Sequence, residues 1–349
     1  MKILLRLLAL LCVCLLLAGG GLAWFVYDFL HTPPEPAGRE VLFDVVPGAS
    51  FGKIAQGLEQ KGLVTSAEKF GWLARYRKMD GRLQAGRFAL RTDWRPDQVL
   101  DWLVNGQPVL FRVTVPEGLT WWQTGRLLEA AGFVRFEDFR AVVLDKEFLR
   151  KYGIPFASAE GFLMPDTYLL RKDDAPDLDS ARSVAGRLVD TFWRKAGTCW
   201  PGGKKPAPAE LKRLVILASV VEKETAIDSE RSRVAGVYAN RLARNMLLQA
   251  DPTVIYGLGA GFDGNLRRKH LDDPANPYNT YQRPGLPPGP ICSFGTAALK
   301  AAIAPEAHDF LYFVARTDGG EHIFSTNLND HNRAVRQYLR NRRKPRQAE

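Results

Sequence analysis

Apolar residues dominate the first thirty positions of the chain, MKILLRLLALLCVCLLLAGGGLAWFVYDFL. The stretch from Leu7 to Tyr27 carries no charge, and about 20 apolar helical residues are enough to cross the hydrocarbon region of a bilayer. A cleaved signal peptide is the alternative, but its apolar region is usually only about 7 to 15 residues long. Lys2 and Arg6 precede the stretch, and basic residues flanking a span stay on the cytoplasmic side. The pattern therefore predicts a single membrane helix within residues 1–30, with the rest of the chain exported.

After a proline-rich linker at 31–40, a pattern of strand, Pro- and Gly-containing turn and amphipathic helix occurs twice. FDVVPGASFGKIAQGLEQKGLV at 43–64 matches FRVTVPEGLTWWQTGRLLEAAGFV at 111–134. Ser50 and Thr120 occupy the positions where a helix N-cap is expected, and apolar residues follow each of them at helical spacing. The chain is therefore predicted to build the same small unit twice.

The first copy continues through a second amphipathic helix, SAEKFGWLARYRK, into an alternating strand, GRFALR. The result is a β-α-α-β unit over residues 41–110. This order resembles the LysM modules, small domains that bind polymers of N-acetylglucosamine. Strand-helix-helix-strand units also occur in many unrelated folds, so a packing module without a sugar site is the alternative.

A carboxylate interrupts a long apolar run in ILASVVEKETA, residues 216–226. The run is apolar on nearly every face, which predicts a buried helix. Val215 and Ala218 fall within about 40° of Glu222 on the helical wheel, so Glu222 continues an apolar stripe, whereas Glu224 points about 160° away. Glu222 is therefore expected at the wall of a cavity at the end of this helix.

A carboxylate among apolar neighbours has its charged form disfavoured, so its pKa rises and it can hold a proton near neutral pH. A general acid needs this property. The alternative is an ion pair between Glu222 and an arginine such as Arg231 or Arg233, which would only join two helices.

Two later stretches favour the catalytic interpretation. LLQADPTVIYGLG at 247–259 and NPYNTYQRPGLPPGPICSFG at 276–295 combine aromatic rings with amides and hydroxyls. This mixture suits a sugar cleft, because rings can stack on pyranoses while the few polar groups reach the hydroxyl and acetamido groups. A role in turns is the alternative for any single residue. The candidate substrate contacts are Gln249, Asp251, Tyr256, Asn279 and Tyr281.

The net charge and the cysteine content limit the classes of binding partner and cofactor. The net charge of +10 falls to +9 when residues 1–30 are removed, and the last residues, RQYLRNRRKPRQ, concentrate it. A basic surface favours phospholipid headgroups or an acidic polymer. Nucleic acid is disfavoured because the anchor places the domain across the membrane from it. The exported cysteines, Cys199 and Cys292, do not suggest a disulfide scaffold or a metal site, and a nucleotide-binding Gly-rich loop is not found, so no cofactor is expected.

Four motifs in order, VVEKET, LQADPTVIYG, NPYNTY and GLPPGPI, resemble the membrane-bound endolytic murein transglycosylases, the YceG-like family. EGFLMPDTY and HIFSTNLNDHNRAV fit the same family. The likeness covers essentially the whole exported chain. It implies cleavage, without water, of the β-1,4 bond between N-acetylmuramic acid and N-acetylglucosamine in nascent strands, leaving 1,6-anhydromuramic ends and terminating strand growth.

The resemblance places the essential glutamate of the VEKET motif at Glu222, which would act first as acid and then as base. A hydrolase usually needs two carboxylates, and Asp251 is the candidate if a second one is required. The family resemblance also implies an inner-membrane protein whose N-terminus is cytoplasmic and whose main part is periplasmic, acting beside peptidoglycan synthases.

The expected fold is α+β, with a transmembrane helix, a LysM-like subdomain and a mixed α+β catalytic domain. Two alternatives for the function stay open: a non-catalytic glycan-binding scaffold for synthases, and a two-carboxylate muramidase. The expected divisions are 1–30 anchor, 31–40 linker, 41–110 LysM-like subdomain, 111–158 second related unit, 159–340 catalytic domain and 341–349 basic tail.

Overall fold

The chain forms two compact units, Met1–Phe111 and Arg112–Glu349. The structure, a computed structural model, describes residues 2–46, 48–173, 175–317 and 321–342. Within these ranges helices alternate with short strands that form two-stranded sheets. The predicted mixed α+β class is confirmed. Most of the predicted basic tail, residues 343–349, lies outside the described residues.

The first unit combines four helices with one antiparallel strand pair. Its elements are α1 Lys2–His31, β1 Glu40–Val45, α2 Phe51–Gln60, α3 Ala67–Tyr76, β2 Gly86–Arg91 and α4 Pro96–Asn105. β1 and β2 pair in a register that sets Phe43 opposite Phe88. Both rings pack with Leu58 and Phe70 in a core that excludes solvent. Each such side chain stabilises the fold by about 1.5–3 kcal/mol, so the order β-α-α-β closes around its own hydrophobic centre.

Helix α1 covers the whole of the predicted anchor. Within the described parts of the chain, no helix combines the length and the hydropathy that crossing a membrane requires. The anchor over residues 7–27 stays a prediction, and so does the likeness of the β-α-α-β unit to LysM modules.

The second unit is larger and mainly helical. Its elements are β3 Phe111–Val115, α5 Trp121–Ala130, α6 Phe136–Val143, α7 Lys146–Lys151, β4 Asp166–Leu170, α8 Leu178–Gly197, α9 Pro208–Glu224, α10 Asp228–Ala243, α11 Asp251–Leu258, α12 Arg268–Leu271, α13 Thr296–Ile303, β5 Tyr312–Ala315, β6 His322–Ser325 and α14 Leu328–Arg342.

The repeated sequence pattern folds locally as expected but pairs differently in its two copies. Ser50 and Thr120 both stand at the N-cap, before α2 and α5. Thr120 forms a capping box with Gln123, whereas the Ser50 hydroxyl makes no capping bond. The strand of the first copy, β1, pairs with β2, and the strand of the second copy, β3, pairs with β4.

Helix α9 is the buried axis of the second unit, as the apolar run predicts. Its residues from Leu214 to Val221 are buried, and it packs against α10, α11 and α13. Ser219 ties it to the segment before α13, because its Oγ donates to Ile216 O at 2.7 Å and accepts from Ile291 N–H at 3.0 Å. The Cys292 thiol donates to Ser219 O at 3.3 Å. These bonds fix the segment that leads into α13 against the last turns of α9.

Candidate active site

A cavity of about 440 Å³ opens at the C-terminal end of α9. Its lining residues come from the β3–α5 turn, the end of α9 and the start of α10: Glu117, Gly118, Glu222, Lys223, Glu224, Thr225, Ala226 and Arg231. Two bonds hold the turn against the other walls: Gly118 N–H donates to Ser293 O at 2.8 Å, and Lys223 Nζ donates to Gly118 O at 3.2 Å. Gly118 has φ of +79°, a backbone conformation that glycine adopts without a steric penalty.

Glu222 lies in this wall, and both of its oxygens are held. Its side chain is only 5% exposed. Oε1 accepts from Arg231 Nη2 at 3.3 Å, and Oε2 accepts from Gly295 N–H at 3.1 Å. Gly295 is the N-cap of α13, where unpaired N–H groups and the helix dipole favour an anion. The surroundings of Glu222 are therefore organised around a carboxylate.

The Arg231 guanidinium gathers several acidic groups at the cavity. It is 7% exposed, it contacts Asp228 Oδ1, and its Nη2 lies 3.7 Å from Glu117 Oε2. Of the two arginines that the sequence offered as partners for Glu222, Arg231 makes the ion pair, whereas Arg233 pairs with Glu306. The ion pair and the cavity occur together, so the pair does not exclude Glu222 from the site.

Opposing influences act on the pKa of Glu222. Desolvation raises it above its usual range, and the negative charge of Glu117 adds to the increase. The Gly295 N–H and the Arg231 guanidinium act in the opposite direction by stabilising the charged form. The direction that the sequence predicted, upward by burial, is confirmed.

Glu224 lines the same cavity and is held much less tightly. Its Oε1 is shielded from solvent and makes no hydrogen bond. Desolvation raises its pKa to about 7, opposed by the Tyr238 hydroxyl beside it. A carboxyl group with this pKa exchanges protons near neutral pH, which a group acting first as acid and then as base must do. Both glutamates line the cavity, but their carboxyl groups have different neighbours, as the wheel angle predicts: Glu222 contacts Arg231 and Gly295 N–H, whereas Glu224 lies beside Tyr238 and Asp251.

Asp251 and Tyr281 form one polar pair near Glu224. The Tyr281 hydroxyl donates to Asp251 Oδ1 at 2.6 Å. Asp251 begins α11, and its negative charge contributes to the raised pKa of Glu224. Gln249, which is exposed with φ of +52°, precedes this helix and bonds Thr280 O through its N–H at 3.1 Å. The structure therefore brings Asp251 and Tyr281 together on the Glu224 side of α9.

Tyr256 lies further along α11 in an aromatic group. Its ring centroid is 4.7 Å from that of Tyr278 and 5.1 Å from that of Trp122. The pKa of its hydroxyl is raised by burial and by the neighbouring Glu160. The Tyr256 hydroxyl therefore lies beside the carboxyl group of Glu160, and its ring contacts two other aromatic rings.

Asn279 has a different position from that expected of a substrate contact. It is fully buried, and its Nδ2 donates to the carbonyls of His270, Leu271 and Asp273 at 3.2, 3.0 and 2.7 Å. Its Oδ1 accepts from Tyr281 N–H at 3.0 Å. The side-chain amide of Asn279 makes all its hydrogen bonds within the protein, so Asn279 orders the loop that carries Tyr281 and offers no polar atom to a substrate.

Sequence reasoning missed two acidic residues of this region. Glu117 follows Pro116 in the second copy of the repeated pattern, where a turn was the obvious interpretation. Glu160 stands alone in the aromatic stretch AEGFLMPDTY and is fully buried. An isolated acidic residue surrounded by apolar and Gly/Pro positions was the available signal in both cases.

The chain is similar to known proteins over most of its length. The profile of the YceG-like family matches residues 43–337. The chain is 27% identical over 338 residues to an endolytic murein transglycosylase of Bacillus subtilis, covering 92% of this chain and 91% of that protein. It is 28% identical to an endolytic murein transglycosylase of Streptococcus pneumoniae, covering 94% of this chain and 64% of that longer protein.

A solved structure extends the similarity to the fold. The crystal structure of a YceG-like protein from Listeria monocytogenes superposes with a TM-score of 0.55 at 29% identity, covering 85% of this chain and 99% of that one. The family match includes the β-α-α-β unit, the cavity at the end of α9 and the aromatic group of α11. The chain belongs to the YceG-like family.

Proposed function

We propose that this protein is an endolytic murein lytic transglycosylase, a lyase that cuts the β-1,4 bond between N-acetylmuramic acid and N-acetylglucosamine within nascent glycan strands. Its relatives in Bacillus subtilis and Streptococcus pneumoniae carry the name endolytic murein transglycosylase. The observation that carries the proposal is a pair of unlike carboxyl groups on residues that line one cavity, one held by Arg231 and Gly295 N–H and one with a pKa of about 7.

One proton-exchanging carboxyl group is sufficient for this reaction. The acid gives its proton to the glycosidic oxygen as the bond from that oxygen to the anomeric carbon breaks. The carboxylate that remains takes the proton of the 6-hydroxyl as that oxygen bonds to the anomeric carbon. The carboxyl group is then restored, water is not consumed, and the product is the 1,6-anhydro sugar.

The geometry favours Glu224 for this role, although the VEKET motif led us to predict Glu222. Arg231 and Gly295 N–H hold both oxygens of Glu222, so delivery of a proton would break an existing contact. Glu224 has an oxygen without a hydrogen-bond partner and a pKa near neutrality. Glu222 lines the same cavity, where the Arg231 and Gly295 contacts hold its carboxyl group in place.

Two amide variants decide between the glutamates. Purified Glu222→Gln and Glu224→Gln are incubated with glycan strands, and the products are analysed by mass spectrometry. We expect no anhydro ends from Glu224→Gln, because the amide keeps the shape but cannot donate a carboxylic proton. Glu222→Gln should retain slow cleavage. The reverse result would return the acid–base role to Glu222, and cleavage by both variants would remove this cavity from the mechanism.

A two-carboxylate muramidase is the second candidate, because Asp251 lies close enough to Glu224 to affect its pKa. Such an enzyme would activate water, and its products would carry reducing ends. The same mass analysis separates the two reactions. A non-catalytic scaffold for synthases would leave the glycan bound and unchanged.

The location and partners of the protein also belong to the proposal. The uncharged stretch at 7–27, preceded by Lys2 and Arg6, supports a single-pass anchor in the inner membrane with a periplasmic bulk. Glycan binding by the β-α-α-β unit and contact with peptidoglycan synthases are proposed on the family resemblance. Cell fractionation combined with protease access from the periplasmic side tests the topology. Recovery of the chain in the soluble fraction would contradict the anchor.

A further inference from the structure

Three aromatic side chains form a continuous surface beside the polar groups described above. Trp122, Tyr256 and Tyr278 are all only partly buried. The rings of Trp122 and Tyr256 lie 5.1 Å apart at 35°, and those of Tyr256 and Tyr278 lie 4.7 Å apart at 56°. Trp121 contacts Trp122 edge-on with centroids 5.7 Å apart, and it stacks on Phe136 with centroids 6.2 Å apart. The adjacent tryptophans therefore differ: Trp121 packs on the ring of its own unit's α6, and Trp122 belongs to the aromatic surface.

Glu160 lies buried beneath this surface and links its parts. The residue is 1% exposed, and its Oε2 accepts from Trp121 N–H at 3.0 Å at the start of α5. Its carboxyl group also neighbours the Tyr256 hydroxyl. Burial raises the pKa of Glu160 to about 8, so the group is mainly neutral at pH 7. One buried polar group thus fixes the first turn of α5, which carries Trp122, relative to Tyr256 on α11.

Two elements connect the surface to the cavity. Along α11, Tyr256 follows Asp251 by five residues, or about 7.5 Å of helix axis, and Asp251 lies near Glu224. Along the β3–α5 turn, Gly118 lines the cavity and Trp122 stands in the first turn of the helix that follows. The aromatic surface is therefore carried by elements that also hold groups of the candidate site.

We propose that Trp122, Tyr256 and Tyr278 form a stacking platform for one pyranose ring of an N-acetylated amino sugar, and that Glu160 is the residue that positions it. This inference rests on the proposed glycan substrate. The C–H face of a pyranose is apolar and matches a ring surface, whereas the neutral Glu160 below leaves the platform without a buried charge. The bound ring would lie next to the scissile bond and hold the strand in register with Glu224.

The first test observes the platform directly and does not require cleavage. The full chain carrying Glu224→Gln is labelled with 5-fluorotryptophan, and the Trp122 resonance is assigned by Trp122→Phe. Addition of the N-acetylglucosamine tetramer should shift the Trp122 resonance. The partly buried Trp193, whose Nε1 donates to Tyr152 O at 2.9 Å, supplies the reference resonance. An unmoved Trp122 resonance at millimolar tetramer overturns the inference, whether or not resonances of the first unit move.

The second test separates the platform from the acid–base group. We expect Trp122→Ala to lower kcat/KM for glycan strands about tenfold, mainly through KM, and Trp122→Phe to restore most of it. Leu144→Ala, which removes an exposed apolar side chain from the second unit, is the control. Anhydro products with an unchanged KM for Trp122→Ala would overturn the platform and leave the proposed function intact. Absence of anhydro products from the wild-type chain would refute the function, and the resonance test would still stand.

The positioning role of Glu160 is tested with a variant that keeps the shape of the side chain but is not an acid. Glu160→Gln should keep kcat/KM within about twofold below pH 8, because the amide keeps the shape and its oxygen can still accept from Trp121 N–H. Glu160→Ala should raise KM as Trp122→Ala does. An equal rise in KM for Glu160→Gln would mean that the carboxyl group acts in some way other than positioning the platform.

Discussion

Replacing Glu224 with glutamine should stabilise the fold by an amount that depends on pH. The pKa of this carboxyl group is about 7 in the folded chain, against an ordinary value of 4.5. A raised pKa means that the folded state binds the proton more tightly than the unfolded state does. The stability that this proton contributes is fully present below about pH 4.5 and is lost as the pH rises through about 7.

The expected size follows from the two pKa values. The folded chain carries a penalty for the charged Glu224 of about 3 kcal/mol at pH 8 and of about 1 kcal/mol at pH 5. Glutamine removes the charge and therefore the penalty. Relative to wild type, Glu224→Gln should gain about 2 kcal/mol more in free energy of unfolding at pH 8 than at pH 5.

Urea denaturation at the two pH values, followed by tryptophan fluorescence, measures this difference. Other effects of the amide act equally at both pH values and cancel in the comparison. Glu137→Gln is the control, since Glu137 is an exposed residue of α6 paired with Arg140, and its effect should not change between pH 5 and pH 8. A Glu224→Gln effect that is equal at the two pH values would show that Glu224 is an ordinary ionised carboxylate, and the acid–base assignment would fail with it.

Four further variants test the contacts around the site. Arg231→Gln leaves the buried Glu222 without its cation and should cost about 3 kcal/mol in a denaturation experiment. A cost below about 1 kcal/mol would show that the ion pair is not formed. Asn279→Ala removes the donor to three carbonyls and should cost about 2–4 kcal/mol of stability without changing KM. Gln249→Ala should cost less than about 0.5 kcal/mol of stability. A raised KM with unchanged stability in Asn279→Ala would restore Asn279 as a substrate contact. In Gly295→Ala, the new Cβ would lie 1.8 Å from Glu117 Oε1, so the flexible Glu117 side chain must move away. The free energy of unfolding should change by less than about 1 kcal/mol. A larger loss would show that the Glu117 side chain cannot move aside.

Local pattern was sufficient to predict the elements that carry the site. The apolar run before Glu222 predicted a buried helix that delivers a carboxylate to a cavity, and α9 does so. Thr120 was predicted as an N-cap and closes a capping box. Both conclusions depend on interactions within a few residues along the chain, where helical periodicity and capping chemistry apply directly.

Contacts between distant segments could not be read in the same way. The choice between Arg231 and Arg233 depends on how α10 packs against α9, and the contact of Glu222 with Gly295 N–H joins residues more than seventy positions apart. The wheel angle placed Glu224 away from Glu222, and the two carboxyl groups do have different neighbours, but the angle alone gave no information about which segments would supply them. Asn279 looked like a sugar contact because an amide in a Gly/Pro-rich loop can bond a ligand or its own backbone with equal chemistry.

The pairing of β3 with β4 shows that a duplicated sequence need not give a duplicated domain. The first copy completes its sheet with β2, fewer than fifty residues away, whereas the second copy depends on a strand at Asp166–Leu170, beyond its own helix and two more. A fragment cut at residue 158 would expose the hydrogen-bonding edge of β3 to other chains and invite aggregation. The second copy therefore needs the segment that follows it to complete its sheet, and any shortened form of this protein has to keep both β3 and β4.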